Sequence, residues 1–458
     1  MVSTVPSQNN SASRVDAITY TLLYRCWQAG AGFISILLIA SHLKPVQQGF
    51  YYAFANLIAL QSFLDLGLYL VVSVCASHEW SLLRLSSSGH IEGDTDARSR
   101  LVSLGRFLFK WYGTAAVIFW IAASLIGLHF FEHQQAPGIN WRIPWLLHVG
   151  FSSALLWLTP FLSLLEGCDQ YASASRFRLI QSAVSLLVFW FAVVGGATLW
   201  SIALMSGVSV LAILVYLQRG RWAFFSVFYA APESAVLSWR HELLPMQWRL
   251  AVQGLFTYLS FPLYTTLTFW YDGPVEGGRI GMTLQIFSAV QSLATVLIAT
   301  RAPGLAVAVA TGDRDRLHAD WPRATMRALM LMVLLLCVLI PAVALAQKYA
   351  VHLGQRVMPV PAFIAFGIAT LLALLVQCMA IYMRAHKQER LTPVGALSGL
   401  MYGAAAWAVV RGSGPMGIAL THLIITALVT FPLTWLIFRA CRREWYSAPT
   451  SNARSQSR

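Results

Sequence analysis

Of 458 residues, 57% are apolar and only 11% are charged, with a net charge of +14 and a mean hydropathy of +0.63. A soluble domain carries about 25% charged residues, so water is not the solvent for most of this surface, and the composition argues against a soluble enzyme. Apolar runs recur along the whole chain, each near the ~20 residues a helix needs to cross a bilayer. They are continuous rather than alternating, which selects helices over a barrel.

Residues 1–16 are polar and hold no apolar core of a cleavable signal, so the first span is expected to direct its own insertion. The runs then predict helices over 17–43, 50–75, 111–131, 144–165, 179–197 and 199–217. A second series follows over 246–270, 280–300, 328–346, 360–382, 394–410 and 416–438. The expected fold is an all-α polytopic membrane protein of about 12 spans. Its parts are a tail 1–16, a bundle 17–218, a linker 219–245, a bundle 246–440 and a tail 441–458. Spans five and six can be separated only by a very tight hairpin at Gly195, Gly196, Ala197 and Thr198.

The loops fix an orientation. With the N-terminus inside, the outer loops hold only Lys44, Arg142, Arg279, Lys348, Arg356 and Arg411, and Arg25 lies inside the first span. Of 32 basic residues, 25 are left on the inner side, and such an excess places both termini in the cytoplasm. The positive charge is thus a topology signal and an attraction for anionic headgroups, not a nucleic-acid footprint. The inner stretch 219–245 carries Phe224, Phe225, Phe228, Tyr229, Trp239 and Arg240, and reads as an interfacial helix, with a plain linker as the alternative. The other large inner loops are 78–110 and 301–327.

The halves look related. Val46-Gln47-Gln48-Gly49 enters span two and Val275-Glu276-Gly277-Gly278 enters span eight, 229 residues later. Asn56 then falls opposite Gln285 and Phe63 opposite Ser292, while Arg25 and Gly30 match Arg249 and Gly254 at an offset of 224. With a six-plus-six helix count this suggests a duplicated transporter whose repeats run parallel.

Two charges sit where lipid would penalise them. A central charge costs about 2.5–3.5 kcal/mol on insertion scales, so neither Arg25 nor Asp65 is expected to face lipid. At about 1.5 Å per residue their depths differ by only a few ångström, which allows them to pair. They are either a structural salt bridge or groups facing an aqueous cavity. Polar stripes favour the cavity. Thr21, Arg25, Gln28, Gly32 and Ser35 share one face of span one, and Gln61 and Asp65 share one of span two. Arg249, Gln253, Thr257, Ser260, Tyr264 and Thr268 line span seven, and Gly281, Gln285, Ser288, Ser292 and Thr295 line span eight. Ordinary helix contacts account for the small residues of these stripes, and Arg249 has the option of snorkelling to the inner surface.

Prolines 160, 262, 341 and 432 fall inside spans four, seven, nine and twelve, as hinges or static kinks. His148 and His422 read as packed, hydrogen-bonded residues rather than proton carriers. The six scattered cysteines lack CxxC or ligand spacing, which argues against a disulfide framework or zinc site. No Walker A, HExxH or nucleophile-elbow motif occurs. An ATP-driven machine would therefore need a nucleotide-binding partner, and no catalytic residue, metal or cofactor is assigned.

Several blocks resemble polysaccharide flippases of the multidrug/oligosaccharidyl-lipid/polysaccharide exporter superfamily. They are Gln48-Gly49-Phe50-Tyr51-Tyr52 through Phe63-Leu64-Asp65-Leu66-Gly67-Leu68, followed by Ser77-His78-Glu79, and Glu166-Gly167-Cys168 after span four. The segment from Gly273-Pro274-Val275-Glu276 to Met282-Thr283-Leu284, and Thr300-Arg301-Ala302-Pro303, complete the set. The resemblance implies two six-helix bundles around a central cavity. It implies alternating-access flipping of an undecaprenyl-pyrophosphate-linked oligosaccharide across the bacterial inner membrane, with the bilayer and other polysaccharide-assembly membrane proteins as partners. For that task Arg25 and Arg249 would offer the pyrophosphate charge-assisted bonds. Gln28, Gln61, Gln253, Tyr264 and Gln285 would meet sugar hydroxyls, and Asp65 would pair with Arg25 or carry a coupling proton. A drug or metabolite antiporter of the same fold is the nearest alternative. A membrane-embedded glycan polymerase or acyltransferase is the alternative of another class, and the short outer loops disfavour it.

Overall fold

The computed structural model describes residues 9–65, 68–86, 89–134, 136–239, 244–386 and 388–447. Nearly all of them are helical. In chain order the first helices are α1 (Asn9–His42), α2 (Pro45–Ile58), α3 (Ser62–Asp65), α4 (Leu68–Trp80), α5 (Thr95–Glu132), α6 (Arg142–Gly167), α7 (Tyr171–Val194) and α8 (Trp200–Ser226). They continue with α9 (Leu244–Ser260), α10 (Pro262–Tyr271), α11 (Pro274–Ala299), α12 (Ala302–Thr311), α13 (Arg314–Tyr349), α14 (Val351–Gly354), α15 (Val360–Ala385), α16 (Thr392–Ile425) and α17 (Phe431–Ser447). Among the described residues eight helical stretches are long and apolar enough to cross a membrane, and the last, Thr392–Trp445, accounts for two of the expected spans. Span one falls on α1, while spans two and seven fall on the interrupted stretches α2–α4 and α9–α10. The chain is a multi-pass membrane protein.

Local chemistry explains the breaks. After Val194 the amide of Ala197 bonds the Ala192 carbonyl at 2.8 Å and that of Gly196 bonds Val193 at 3.1 Å. That is a Schellman cap, with Gly196 at φ +79° in the left-handed position it demands. The hairpin between spans five and six therefore needs only a few residues. Gly414 breaks α16 at φ +56°, followed by Pro415. Beyond it the chain folds back, because Thr430 donates to Ser398 at 2.9 Å from 32 residues away. A straight helix would hold those positions about 48 Å apart.

The structure corrects three loop expectations. Within 78–110 an antiparallel hairpin forms from β1 (Leu83–Leu85) and β2 (Ile91–Gly93), with Arg84 opposite Glu92. The stretch 301–327 is helical, with Asp313 capping α13 by accepting from the Arg316 amide at 3.0 Å. In 219–245 the helix stops instead of running on: α8 ends in a 3₁₀ turn, Val227–Tyr229. Pro232 follows, and a residue before proline avoids the α region. The extended segment is held by α5, where Ser99 and Ser103 accept from the amides of Ser234 (3.0 Å) and Leu237 (2.8 Å).

The chain separates into two compact units, one formed by Met1–Leu255 with Gly273–Gly278, the other by Phe256–Asp272 with Arg279–Arg458. The first is centred on the fully buried Phe50, Phe54, Phe131 and Trp145. Their rings meet at 4.9–5.5 Å, and such pairs contribute about 0.5–1.5 kcal/mol each. In the second, Phe287 packs on Phe363 at 4.6 Å. Trp321, Tyr382 and Phe438 form another buried cluster there.

Candidate functional site

Span two has no proline, yet its helix tightens to a 3₁₀ turn over Ala59–Gln61 before α3. A 3₁₀ stretch inside a helix often marks a hinge or strain. Here it carries Gln61 and, one turn on, Asp65. The Tyr112 hydroxyl of α5, itself fully buried, donates to Asp65 Oδ1 at 2.5 Å. That is the length of a charge-assisted O–H···O⁻ bond. The Oε1 of Gln61 is buried without a hydrogen-bond partner among the described residues. Beside Tyr112, Trp111 packs on Trp239 at 5.8 Å, and Trp239 donates to Gln247 Oε1 at 2.9 Å. The Trp111 indole N–H and the Gln247 amide nitrogen are buried without partners too. Unmet buried polar atoms cost about 1–3 kcal/mol each, so this part of the first unit is a candidate for contact with a hydrogen-bonding guest.

The remaining sequence-derived candidates divide between the units. Gln28 is bonded within its surroundings, donating to Ser182 of α7 at 2.8 Å and to Tyr24 at 3.2 Å. The side chains of Arg25, Arg249 and Gln253 lie outside the described residues. In the second unit Gln285 is exposed and Tyr264 is buried, its hydroxyl without a partner among the described residues.

Tyr264, already marked by the stripe of span seven, belongs to a second group whose membership the sequence pattern does not announce. Its ring stands edge-on to His422 at 5.7 Å, and His422 is also faced by Phe261 (5.2 Å), Phe366 (5.2 Å) and Tyr402 (4.6 Å). The expectation of a hydrogen-bonded His422 is half met: the ring is packed, but Nδ1 has no partner among the described residues. His148 differs, bonding Ser206 at 2.9 Å through Nδ1. Around His422 the helix widens to a π turn, Thr426–Thr430. Pro432 lies just beyond, and its missing N–H frees a carbonyl of that turn. Tyr402 reaches the widened turn through Thr426 (2.7 Å) and Thr430 (3.3 Å). Among the described residues no three His, Cys, Asp or Glu stand together as metal ligands.

No family model and no curated protein matches the chain. Solved structures do. An inward-facing multidrug resistance MATE family transporter of the MOP superfamily aligns over 93% of this chain and 99% of its own, with TM-score 0.65 and 13% identity. The lipid II flippase MurJ, inward closed, aligns over 92% and 87% with TM-score 0.62 and 11% identity. A MOP-superfamily transporter from Pyrococcus furiosus aligns over 94% and 96%, with TM-score 0.53 and 12% identity. The fold is that of the MOP-superfamily transporters. Of the residues grouped above, Gln61, Asp65 and Tyr264 are among the candidates read from the sequence, while Tyr112, Trp111, Gln247 and Tyr402 are not. Tyr112 stands in an apolar run with nothing to mark it as the partner of a residue 47 positions away.

Proposed function

We propose that this chain is a flippase, carrying an undecaprenyl-pyrophosphate-linked oligosaccharide from the cytoplasmic to the periplasmic leaflet for surface polysaccharide assembly. Its moving parts are the bundles 17–218 and 246–440 joined by 219–245, with both termini in the cytoplasm. The observation that carries this reading is the membrane-embedded group of Gln61, Asp65 and Tyr112 on an interrupted span. It is read together with a fold shared with a lipid II flippase. Such a substrate keeps its lipid tail in the bilayer, while its anionic, hydroxyl-rich head needs partners on the way. Arg25 and Arg249 suit the pyrophosphate, since a guanidinium fork matches its oxygens. Gln28, Gln61, Gln253, Tyr264 and Gln285 suit the sugars. Asp65, held by Tyr112, neutralises Arg25 when no substrate is bound or takes the coupling proton.

Deleting the gene should remove surface glycan and accumulate the lipid-linked intermediate. Unchanged glycan with loss of energised efflux of small cations would put the drug antiporter in its place. Arg25→Ala should abolish export while the protein stays inserted, and Arg25→Lys should keep part of it, because charge survives without the bidentate fork. A purely structural pair behaves otherwise: Arg25→Ala then lowers abundance by stranding Asp65, and Arg25→Ala/Asp65→Ala restores both abundance and export. Restored export in that double variant would remove Arg25 from the substrate path.

A further inference from the structure

The first unit also holds a polar–apolar cavity on which Asp65 is not a lining residue. A cavity of about 200 Å³ opens between α5, α6 and the end of α8, walled by Phe109, Phe161, Leu164, Phe225 and Phe228. Arg106 and Lys110, one turn apart on α5, stand on its lining with Tyr229. The walls are interlocked: Phe161 meets Phe109 at 6.2 Å and Phe225 at 5.5 Å, both edge to face. Gly105 is there because any side chain would collide with the Phe228 ring, 2.6 Å from its Cε1. Arg106 donates one N–H to the Ala230 carbonyl at 2.8 Å, which sets its guanidinium beside the slot with further donors to offer.

We propose that this slot binds one glycerophospholipid with an anionic headgroup, its phosphate held by Arg106 and Lys110 and the start of one acyl chain lying among the phenylalanines. Charge complementarity commits the occupant: the slot has two cations on its lining and no carboxylate, and basic pockets between membrane helices hold anionic headgroups. The aromatic content of 219–245 gains a purpose here, because its Phe225 and Phe228 line the slot. The site is independent of the flippase reading, and its assignment to the inner leaflet rests on the orientation expected from the loop charges.

The test is photolabelling of the full chain in nanodiscs with phosphatidylglycerol or phosphatidylcholine bearing an acyl-chain diazirine, with the labelled peptides mapped by mass spectrometry. Phosphatidylglycerol should label the peptides holding Phe109, Phe161 and Phe225 in preference to phosphatidylcholine. Lys110→Gln, which spares the Arg106–Ala230 bond, should lower that labelling about fivefold, the equivalent of ~1 kcal/mol for one cation at a membrane surface. Phe161→Trp should lower it with both charges intact, by filling the slot. Equal labelling by the two lipids, or no effect of Lys110→Gln, would mean ordinary boundary lipid and overturn the proposal. Complete displacement by inorganic phosphate would mean a free-anion site and overturn it as well. None of these readouts requires transport, so a chain that fails to export glycan is tested equally well.

Discussion

Gly49→Ala is the most demanding single change the structure offers. Gly49 follows the first turn of α2, where the Gln48 side chain donates to the Gly278 carbonyl at 2.9 Å. A methyl group on Gly49 would overlap the Pro274 carbonyl oxygen and lie 2.5 Å from its carbon and 2.9 Å from its Cα. All three are backbone atoms, so no rotamer change relieves the clash. Overpacking of this kind costs about 1–3 kcal/mol, and losing the Gln48 bond adds about 1 kcal/mol. Better helix propensity returns at most about 1 kcal/mol, so a net loss of about 1–3 kcal/mol is expected. Gly30→Ala is the control, since nothing lies within 4 Å of its would-be methyl. Equilibrium unfolding of the purified protein by SDS in mixed micelles reads both directly. Gly49→Ala should unfold at lower SDS while Gly30→Ala matches or exceeds the native chain. Coincident curves for the two variants would refute the close approach of α2 to Pro274.

Tyr112→Phe removes the donor to Asp65 and should cost about 1–3 kcal/mol in the same unfolding assay while lowering export; unchanged behaviour in both would deny the 2.5 Å bond a role. A cysteine at Ser226 should resist impermeant periplasmic thiol reagents in spheroplasts if 219–245 is cytoplasmic, and ready labelling would reverse the orientation. Acidification should loosen the end of α17. Arg390 bonds both Glu444 oxygens (2.6 and 3.1 Å), and these hydrogen bonds hold the Glu444 carboxyl below its ordinary 4.5. His386 stacks on Trp445 at 3.8 Å, and burial holds its imidazole below 6.5. Both folded-state values are depressed, so both contributions are complete above the unfolded values. The His386 contribution declines as pH falls below 6.5, and that of Glu444 as pH falls below 4.5. Proteolysis of the C-terminal segment should therefore quicken as pH falls below 6.5, an effect weakened by His386→Phe; a flat profile in the native chain would contradict the linkage.

What could be read from the sequence follows from how local each cause is. The turn at Gly195–Thr198 was legible because two glycines between apolar runs leave a Schellman cap as the short solution, and the break before Met416 because Gly414-Pro415 cannot continue a helix. The hairpin Leu83–Gly93 was not, since two three-residue strands carry too little pattern to stand out among charged neighbours. The repeat expected from Val46–Gly49 and Val275–Gly278 rests on spacing alone, and the structure adds a separate fact about two of its positions. Gly49 and Gly278, the two positions made equivalent, lie against each other, with a would-be methyl on Gly278 3.0 Å from Gly49 Cα. Polar residues in spans were the hardest to rank, because a residue type is local but its partner is not. Gln28 and Gln61 have the same chemistry and were assigned the same role. One finds Ser182, 154 residues away, and is largely accounted for by that bond. The other sits on a 3₁₀ turn that aims its Oε1 where no described group answers it. Only the second keeps a buried acceptor unsatisfied among the described residues, at a cost that a bound hydroxyl or water would offset, so of the two Gln61 has the stronger physical claim to the substrate contact proposed above.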